Sequence, residues 1–366
     1  MEFIPLGRPD ITEKDIEAVA AVLRTGMLIQ GTNVLAFEKA IGEYTGTREV
    51  IAVSNGTATL HLALKVLGIG PGDEVIVPAL SYIATANVVE LVGAKPVFVD
   101  IDLATFNINT SLMEAAITPR TKAIIPVHEF GLACDIETVC RIAGKHQLPV
   151  IEDAACALGA VQHGKPAGSF GILGSFSLHP RKSITSGEGG FLVTNDASVA
   201  AKLRQLRNHG IEMKEGIMHF PEAGFNYRIT DFQAALALSQ FQRIENILPY
   251  KQRLAGIYLN EIKNPRISLP GVPAGHNHTW QTFHVLLAEE MDQQKIIQQL
   301  KEKNIGTNYG AQCIPAQEYY QRKYGYDAAG SFPNAYRAYK KGLAIPLYER
   351  LSEQQILYIS QIINQL

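Results

Sequence analysis

The chain has 366 residues, 46% of them apolar, with 33 lysines and arginines against 35 acidic residues and a formal net charge of -2. That length supports two domains, or one large domain with an appendage, and the absence of any basic run or stripe excludes an electrostatic footprint for nucleic acid. Cys134, Cys140, Cys156 and Cys313 form no CxxC pair and no Cys/His ligand spacing, so a metal site is not expected and the thiols read as those of a reduced, cytoplasmic protein.

At the N-terminus, MEFIPLGRPDITEKD lacks a basic region leading into an apolar one, so no signal peptide is expected. No apolar segment approaches the roughly 18–20 residues of a membrane span. Thr12, with Asp15 three residues on, predicts an N-cap for a helix to 23 that closes near Gly26, and a second helix is expected over 34–44. Short apolar runs then recur at 49–53, 74–78, 95–99, 121–127, 149–152, 173–178 and 190–194. They are continuous rather than alternating, as strands covered on both faces are. Helical patterns such as TATLHLALKVLG and DIETVCRIAGKH separate several of them, which predicts α/β architecture with a mostly parallel sheet of seven strands and crossover helices.

GIGPGD at 68–73 follows a helix and precedes a strand, the reverse of the order a dinucleotide fingerprint needs, and reads as a helix end and turn. Beyond Asp196 a helix is expected over 197–208, a long loop over 209–229, and a helix from Thr230 to 247 that continues past a kink at Pro249. A smaller unit follows: an apolar run at 280–288, a helix over 292–303, a loop over 304–333 and a terminal helix capped by Ser352. The expected division is 1–248 and 249–366.

Four stretches fall at strand ends, where open α/β sheets gather ligands. Ser54-Asn55-Gly56-Thr57-Ala58 joins a strand to a helix, which makes either an anion site of free amides and a hydroxyl or simply a tight turn. Tyr82, in SYIAT, is either a core ring or one that stacks on a planar ligand. Asp153, closing the strand before Ala154-Ala155-Cys156, is a carboxylate held beside a positive group or the cap of a following helix. The fourth is GSFSLHPRKSITSGEGG at 174–190, with Ser177, His179 and Lys182 before glycines 187, 189 and 190 that permit close backbone approach. Together they make chemical sense as a pyridoxal phosphate site: amides and hydroxyls for the phosphate, the Lys182 amine for the aldehyde as a Schiff base, and Asp153 to keep the pyridine nitrogen protonated.

With these stretches in order, through SNGTATLHLAL, GDEVIVPALSYIATAN, TKAIIPVHEFG, IEDAACALGA, SFSLHPRKSITSGEGGFLVTND and GFNYRITDFQAALALSQ, the chain resembles the DegT/DnrJ/EryC1/StrS family of nucleotide-sugar aminotransferases along essentially its whole length. The resemblance implies the fold-type I architecture, with a three-layer αβα large domain and a smaller α+β C-terminal domain. It implies Lys182 and Asp153 as catalytic residues. Gly56, Thr57, Ala58 and Ser177 would lie around the phosphate, with Tyr82 at the stacking position. Asn226 would reach the phosphate of the other subunit, in a homodimer with shared sites. Cys156 departs from the family, where Gln or His often contacts the ring, and a thiol is a weaker partner. His179, Arg228 and Tyr309 are candidates for substrate contacts, and the loop 304–315 and the segment around Trp280 for the entrance. The implied reaction takes an amino group, by family habit from L-glutamate, to a keto group of a nucleotide-linked sugar, most often a 4-keto-6-deoxyhexose, for cell-surface polysaccharides such as lipopolysaccharide O-antigen or for secondary metabolites. Two alternatives stand beside it: a sugar dehydratase, whose family members carry His where Lys182 stands, and a cofactor-binding protein without catalysis.

Overall fold

A computed structural model describes residues 2–366. Seven strands follow the predicted rhythm: β1 (Glu49–Val53), β2 (Glu74–Pro78), β3 (Lys95–Val99), β4 (Thr121–Ile124), β5 (Ile151–Asp153), β6 (Leu173–Ser177) and β7 (Gly190–Thr194). β2 pairs in parallel with β3 and β4, β5 with β6, and β7 runs antiparallel to both β6 and β1. Parallel bridges Ile124–Val150 and Val127–Asp153 join the two blocks. The spatial order is therefore β3-β2-β4-β5-β6-β7-β1, with six strands parallel and β7 reversed. Beyond Ile124 the fourth strand keeps only bridges, because Pro126 has no amide to donate.

Apolar residues alternate between two cores. Val50, Ala52, Phe191 and Val193 pack with Val34, Phe37 and Ile41 of the helix Thr32–Thr45. Ile51, Val53 and Leu192 pack on the other face with Leu60, Leu62 and Leu64 of the helix Gly56–Val66. Both faces being covered explains why the runs read as continuous apolar sequence. The first helix spans Glu13–Thr25 with the Thr12/Asp15 capping box and a left-handed Gly26 closing it.

Three segments differ from expectation. The 209–229 stretch is not all loop: Glu212–Lys214 and Ile217–His219 pair as an antiparallel hairpin. The 230–247 helix breaks at Gln242–Arg243, between Asp231–Phe241 and Ile244–Glu261, and Pro249 sits inside the second helix. It removes the amide that would bond Glu245 one turn back, and the helix continues past it. The 304–333 stretch is not one loop. It contains the short helices Glu318–Tyr324 and Ala328–Ser331, then Pro333–Lys341. Next comes β10 (Gly342–Ile345), which pairs antiparallel with β9 (Phe283–Leu287), itself paired with β8 (Ile267–Ser268). A further core joins this sheet to Ile4, Leu254, Tyr258, Ile356 and Ile359. No helix among the described residues is long and apolar enough to cross a membrane.

Candidate active site

The carboxyl ends of β1, β5 and β6 open on a cavity of about 770 Å³. At its floor the helix Gly56–Val66 begins directly after β1, capped by Asn55, whose Oδ1 accepts the Ala58 amide at 2.8 Å. Ala58 thus spends its N–H inside the chain, while the first-turn amides of Gly56 and Thr57 have no intrahelical acceptor. A Cβ on residue 56 would lie 2.8 Å from Ser177 Cβ and 3.0 Å from its Oγ. Only glycine lets the end of β6 come so close, and the result is a helix N-terminus faced by the Ser177 hydroxyl, a cradle for an anion.

Asp153 ends β5 and is buried. No helix follows it; turns occupy 154–160, so the capping alternative is not realised. Thr85 Oγ1 donates to its Oδ2 at 2.8 Å and the Ala155 amide to its Oδ1 at 3.2 Å. Ser81 Oγ lies 3.1 Å from Thr85 Oγ1, beside this pair. Burial pushes the Asp153 carboxyl up, against the Thr85 and Ala155 hydrogen bonds and the nearby Lys182, which favour the charged form.

Glu152 points the other way along the same strand. It is fully buried and accepts four donors: His128 Nε2 at 2.9 Å, and the amides of Gly168, Phe170 and Gly171 at 2.7, 2.6 and 2.7 Å. The Cys134 amide donates to His128 Nδ1, which fixes the imidazole as neutral with its proton on Nε2. This assembly ties β5 to the approach of β6 and so sets where Asp153 stands.

Lys182 lies in the turn between β6 and β7, where its amide bonds the His179 carbonyl at 2.8 Å and its Nζ donates to Cys156 Sγ at 3.0 Å. Burial pushes the Cys156 thiol up, which keeps it a neutral partner. The glycines after Lys182 serve the chain's own packing. Gly187 takes φ +82°, and a Cβ on Gly190 would meet the Phe176 carbonyl at 2.7 Å and Asn55 at 2.8 Å.

His179 lines the cavity, with its Nδ1 accepting the Arg181 amide and burial lowering its pKa. Tyr309 lines it too, with its hydroxyl accepting from Gln312, and Tyr82 stands exposed at the mouth. Asn226 and Arg228 are not brought into this cavity. Arg228 bridges to Val53 and donates to Asn208 at 2.5 Å, and Asn226 is exposed beside it. Trp280 is core, stacked on His278 and Phe283, because its backbone turns at φ +53° and sends Gln281 and Thr282 to the cavity instead.

Sequence reading missed Thr85, Tyr227, Gln281 and Glu129, all of which line the cavity. The available signal for Glu129 was a charge two residues past the apolar run 121–127.

The geometry fits pyridoxal phosphate: an anion cradle at one end, a buried carboxylate whose charge burial disfavours until a cation faces it, and a lysine amine whose one hydrogen bond among the described residues is to a thiol. The model of the DegT/DnrJ/EryC1/StrS aminotransferase family matches residues 9–364. The chain is 47% identical over 261 residues to GDP-perosamine synthase of Caulobacter vibrioides, covering 71% of this chain and 70% of that protein. It is 39% identical to the UDP-4-amino-4-deoxy-L-arabinose--oxoglutarate aminotransferase of Shewanella sediminis, over 88% and 87% of the two. A putative sugar aminotransferase from Streptococcus pneumoniae, solved in its PLP form, superposes with a TM-score of 0.94 at 30% identity, over 99% of this chain and 98% of the other, and carries the fold-type I architecture. The chain belongs to the DegT/DnrJ/EryC1/StrS aminotransferase family, as an aminotransferase whose cofactor is pyridoxal phosphate.

Proposed function

We propose that the protein transfers an amino group from L-glutamate to the keto carbon of a nucleotide-linked 4-keto-6-deoxyhexose, acting in the cytosol on sugars destined for polysaccharide or secondary-metabolite assembly. The observation that carries this reading is the convergence of Lys182, Asp153 and the Gly56/Thr57/Ser177 cradle on one cavity. The nucleotide sugars in the names of the Caulobacter and Shewanella relatives support the sugar class, and the oxoglutarate in the latter's name supports glutamate as donor.

Pyridoxal phosphate, when bound, supplies a carbonyl for the incoming amine and a ring that accepts the electron pair left by a departing C–H proton. Asp153 holds the ring nitrogen's proton, with Thr85 fixing the carboxylate. The helix N-terminus and Ser177 hold the phosphate. Lys182, whose amine would hold the aldehyde, would take and return the substrate proton as general base. His179, Tyr309 and Gln281 face the space left for the sugar. Asn226, outside its own cavity and exposed, is free to serve the partner's site in a homodimer, and Arg228 stands beside it. A dehydratase is disfavoured by Lys182 itself.

Holoenzyme offered glutamate and a panel of nucleotide-linked 4-keto sugars should produce oxoglutarate. Lys182→Ala should lower turnover by about a thousandfold, within the range of a lost general base. Full turnover in that variant would refute the assignment.

A further inference from the structure

Glu129 is a buried charged side chain of the cavity that the proposed chemistry leaves unused, whereas Arg181 and Glu188, which also line it, are exposed. It follows β4 in a tight turn where Phe130 takes φ +57° and Gly131 φ +99°. Its amide is pinned by Asn107 Oδ1 at 2.8 Å. The residue is 6% exposed, and its Oε2 is buried with no hydrogen-bond partner among the described residues. The turn sets Glu129 in the cavity wall, so an unpartnered carboxyl oxygen is buried beside the space a ligand fills. Such an atom is costly in the empty protein and points to a partner that arrives with the ligand.

Which part of the ligand it meets follows from connectivity, resting on the cofactor placement proposed above. Asp153 takes the ring nitrogen, Lys182 the aldehyde carbon, and the Gly56/Ser177 cradle the phosphate arm. A group close to both Asp153 and Lys182 is left with the ring edge between nitrogen and aldehyde that carries the phenolic oxygen. Cys156 also reaches this region, but its Sγ is the acceptor for Lys182 and its S–H is a weak donor. We infer that Glu129 is a cofactor-positioning residue that donates a carboxylic-acid hydrogen bond to the phenolic oxygen of pyridoxal phosphate, a contact Cys156 is too weak to make.

The protonation state agrees. Burial first, and the charge of Asp153 second, push the Glu129 carboxyl up to about 8, against Lys182 and the nearby Ser81 hydroxyl, which favour the ionised form. The groups facing it are thus Asp153, Lys182, Cys156 and Ser81, while its neighbour His128 is turned away onto Glu152. Two buried carboxyls linked through Ser81 and Thr85 do not both ionise readily; Asp153, with two donors, keeps the charge and Glu129 the proton.

The test uses pyridoxamine 5'-phosphate, which keeps the phenolic oxygen but does not bond covalently to Lys182. Its Kd is measured for wild type, Glu129→Gln and Glu129→Leu at about pH 6.5 and about pH 9.5, either side of the Glu129 value of about 8. Glutamine keeps a donor without titrating. Loss of one hydrogen bond of this kind predicts about tenfold weaker binding. Glu129→Leu should be about tenfold weaker than wild type at the lower pH. Relative to Glu129→Gln, wild type should weaken about tenfold on going to the higher pH, and this ratio cancels the ligand's own titration. Urea unfolding of the apoproteins should show Glu129→Leu no less stable than wild type, since it removes an unpartnered buried carboxyl. Should Glu129→Leu fail to fold, the wild-type to Glu129→Gln ratio alone decides. Equal affinity of Glu129→Leu and wild type, or a ratio unchanged with pH, overturns the assignment. Wild-type protein that binds no pyridoxamine phosphate would instead overturn the cofactor site, and Glu129's role with it.

Discussion

The carboxylate of Glu152 offers the sharpest stability experiment, because its four donors divide two to each oxygen: Phe170 and Gly171 on Oε1, Gly168 and His128 on Oε2. Glu152→Gln changes no volume, yet presents one oxygen and one NH2. If the oxygen keeps Phe170 and Gly171, the new amide faces the Gly168 N–H, donor against donor. His128 can then accept from it only by moving its proton to Nδ1, which sets that proton against the Cys134 amide. Two buried donors are orphaned in either tautomer. At about 1–3 kcal/mol each, the loss is about 2–6 kcal/mol, a large part of the about 5–15 kcal/mol that holds a domain together. Urea titration of the apoprotein, followed by the fluorescence of the single, buried Trp280 and by circular dichroism, measures it. A loss below about 1 kcal/mol would show that the four bonds are not shared as the geometry has them.

Thr85→Val keeps the shape beside Asp153 and removes the 2.8 Å bond. A hydrogen bond to a charged group is worth about 1.5–3 kcal/mol, so cofactor affinity by equilibrium dialysis should fall about tenfold to a hundredfold, and unchanged affinity would sink the claim that Thr85 orients the carboxylate. Glu129 sets a pH trend in the apoprotein. Its pKa is raised on folding from 4.5 to about 8, so its contribution to stability is complete below about pH 4.5 and is lost as pH rises through about 8. Thermal unfolding of the apoprotein should therefore show Tm declining from about pH 5 to about pH 9. Glu129→Gln should flatten that decline, and parallel curves would refute it.

The sheet was legible because strands covered on both faces must be apolar throughout, and β1 and β7 show both faces in use. Lys182, Asp153, Ser177 and the turn at 54–58 were legible because together, after successive strands, they supply the amine, carboxylate, hydroxyl and amides that one site needs. What escaped was set by tertiary contact. The break at Gln242–Arg243 has no Gly or Pro to announce it, while Pro249, which does announce one, is tolerated inside the following helix. The segment around Trp280 does reach the cavity, through Gln281 and Thr282, but which of its side chains turn inward to the core, as Trp280 does, depends on one positive φ. Strand β10 is only four residues and follows a helix directly, so no local pattern sets it apart. Glu129 carries only a weak signal, a charge just past an apolar run, until the fold closes the cavity around it.

One topological detail explains why the lysine is where it can act. Six strands run parallel, so the chain normally leaves the ligand edge through a crossover helix and returns from the opposite edge. β7 is the exception, antiparallel to β6 and to β1. The chain between them therefore starts and ends at the same edge, the one where Asp153 and the Gly56 cradle already lie. A parallel β7 would have required a helix here, and Lys182 would have been carried down the face of the sheet. The reversed strand instead keeps residues 178–189 as a turn over the cavity. Its close pairing, with Gly190 set against the Phe176 carbonyl and Asn55, locks that turn to the phosphate cradle. Lysine, carboxylate and cradle are thus held at one edge of four adjoining strands, β5, β6, β7 and β1.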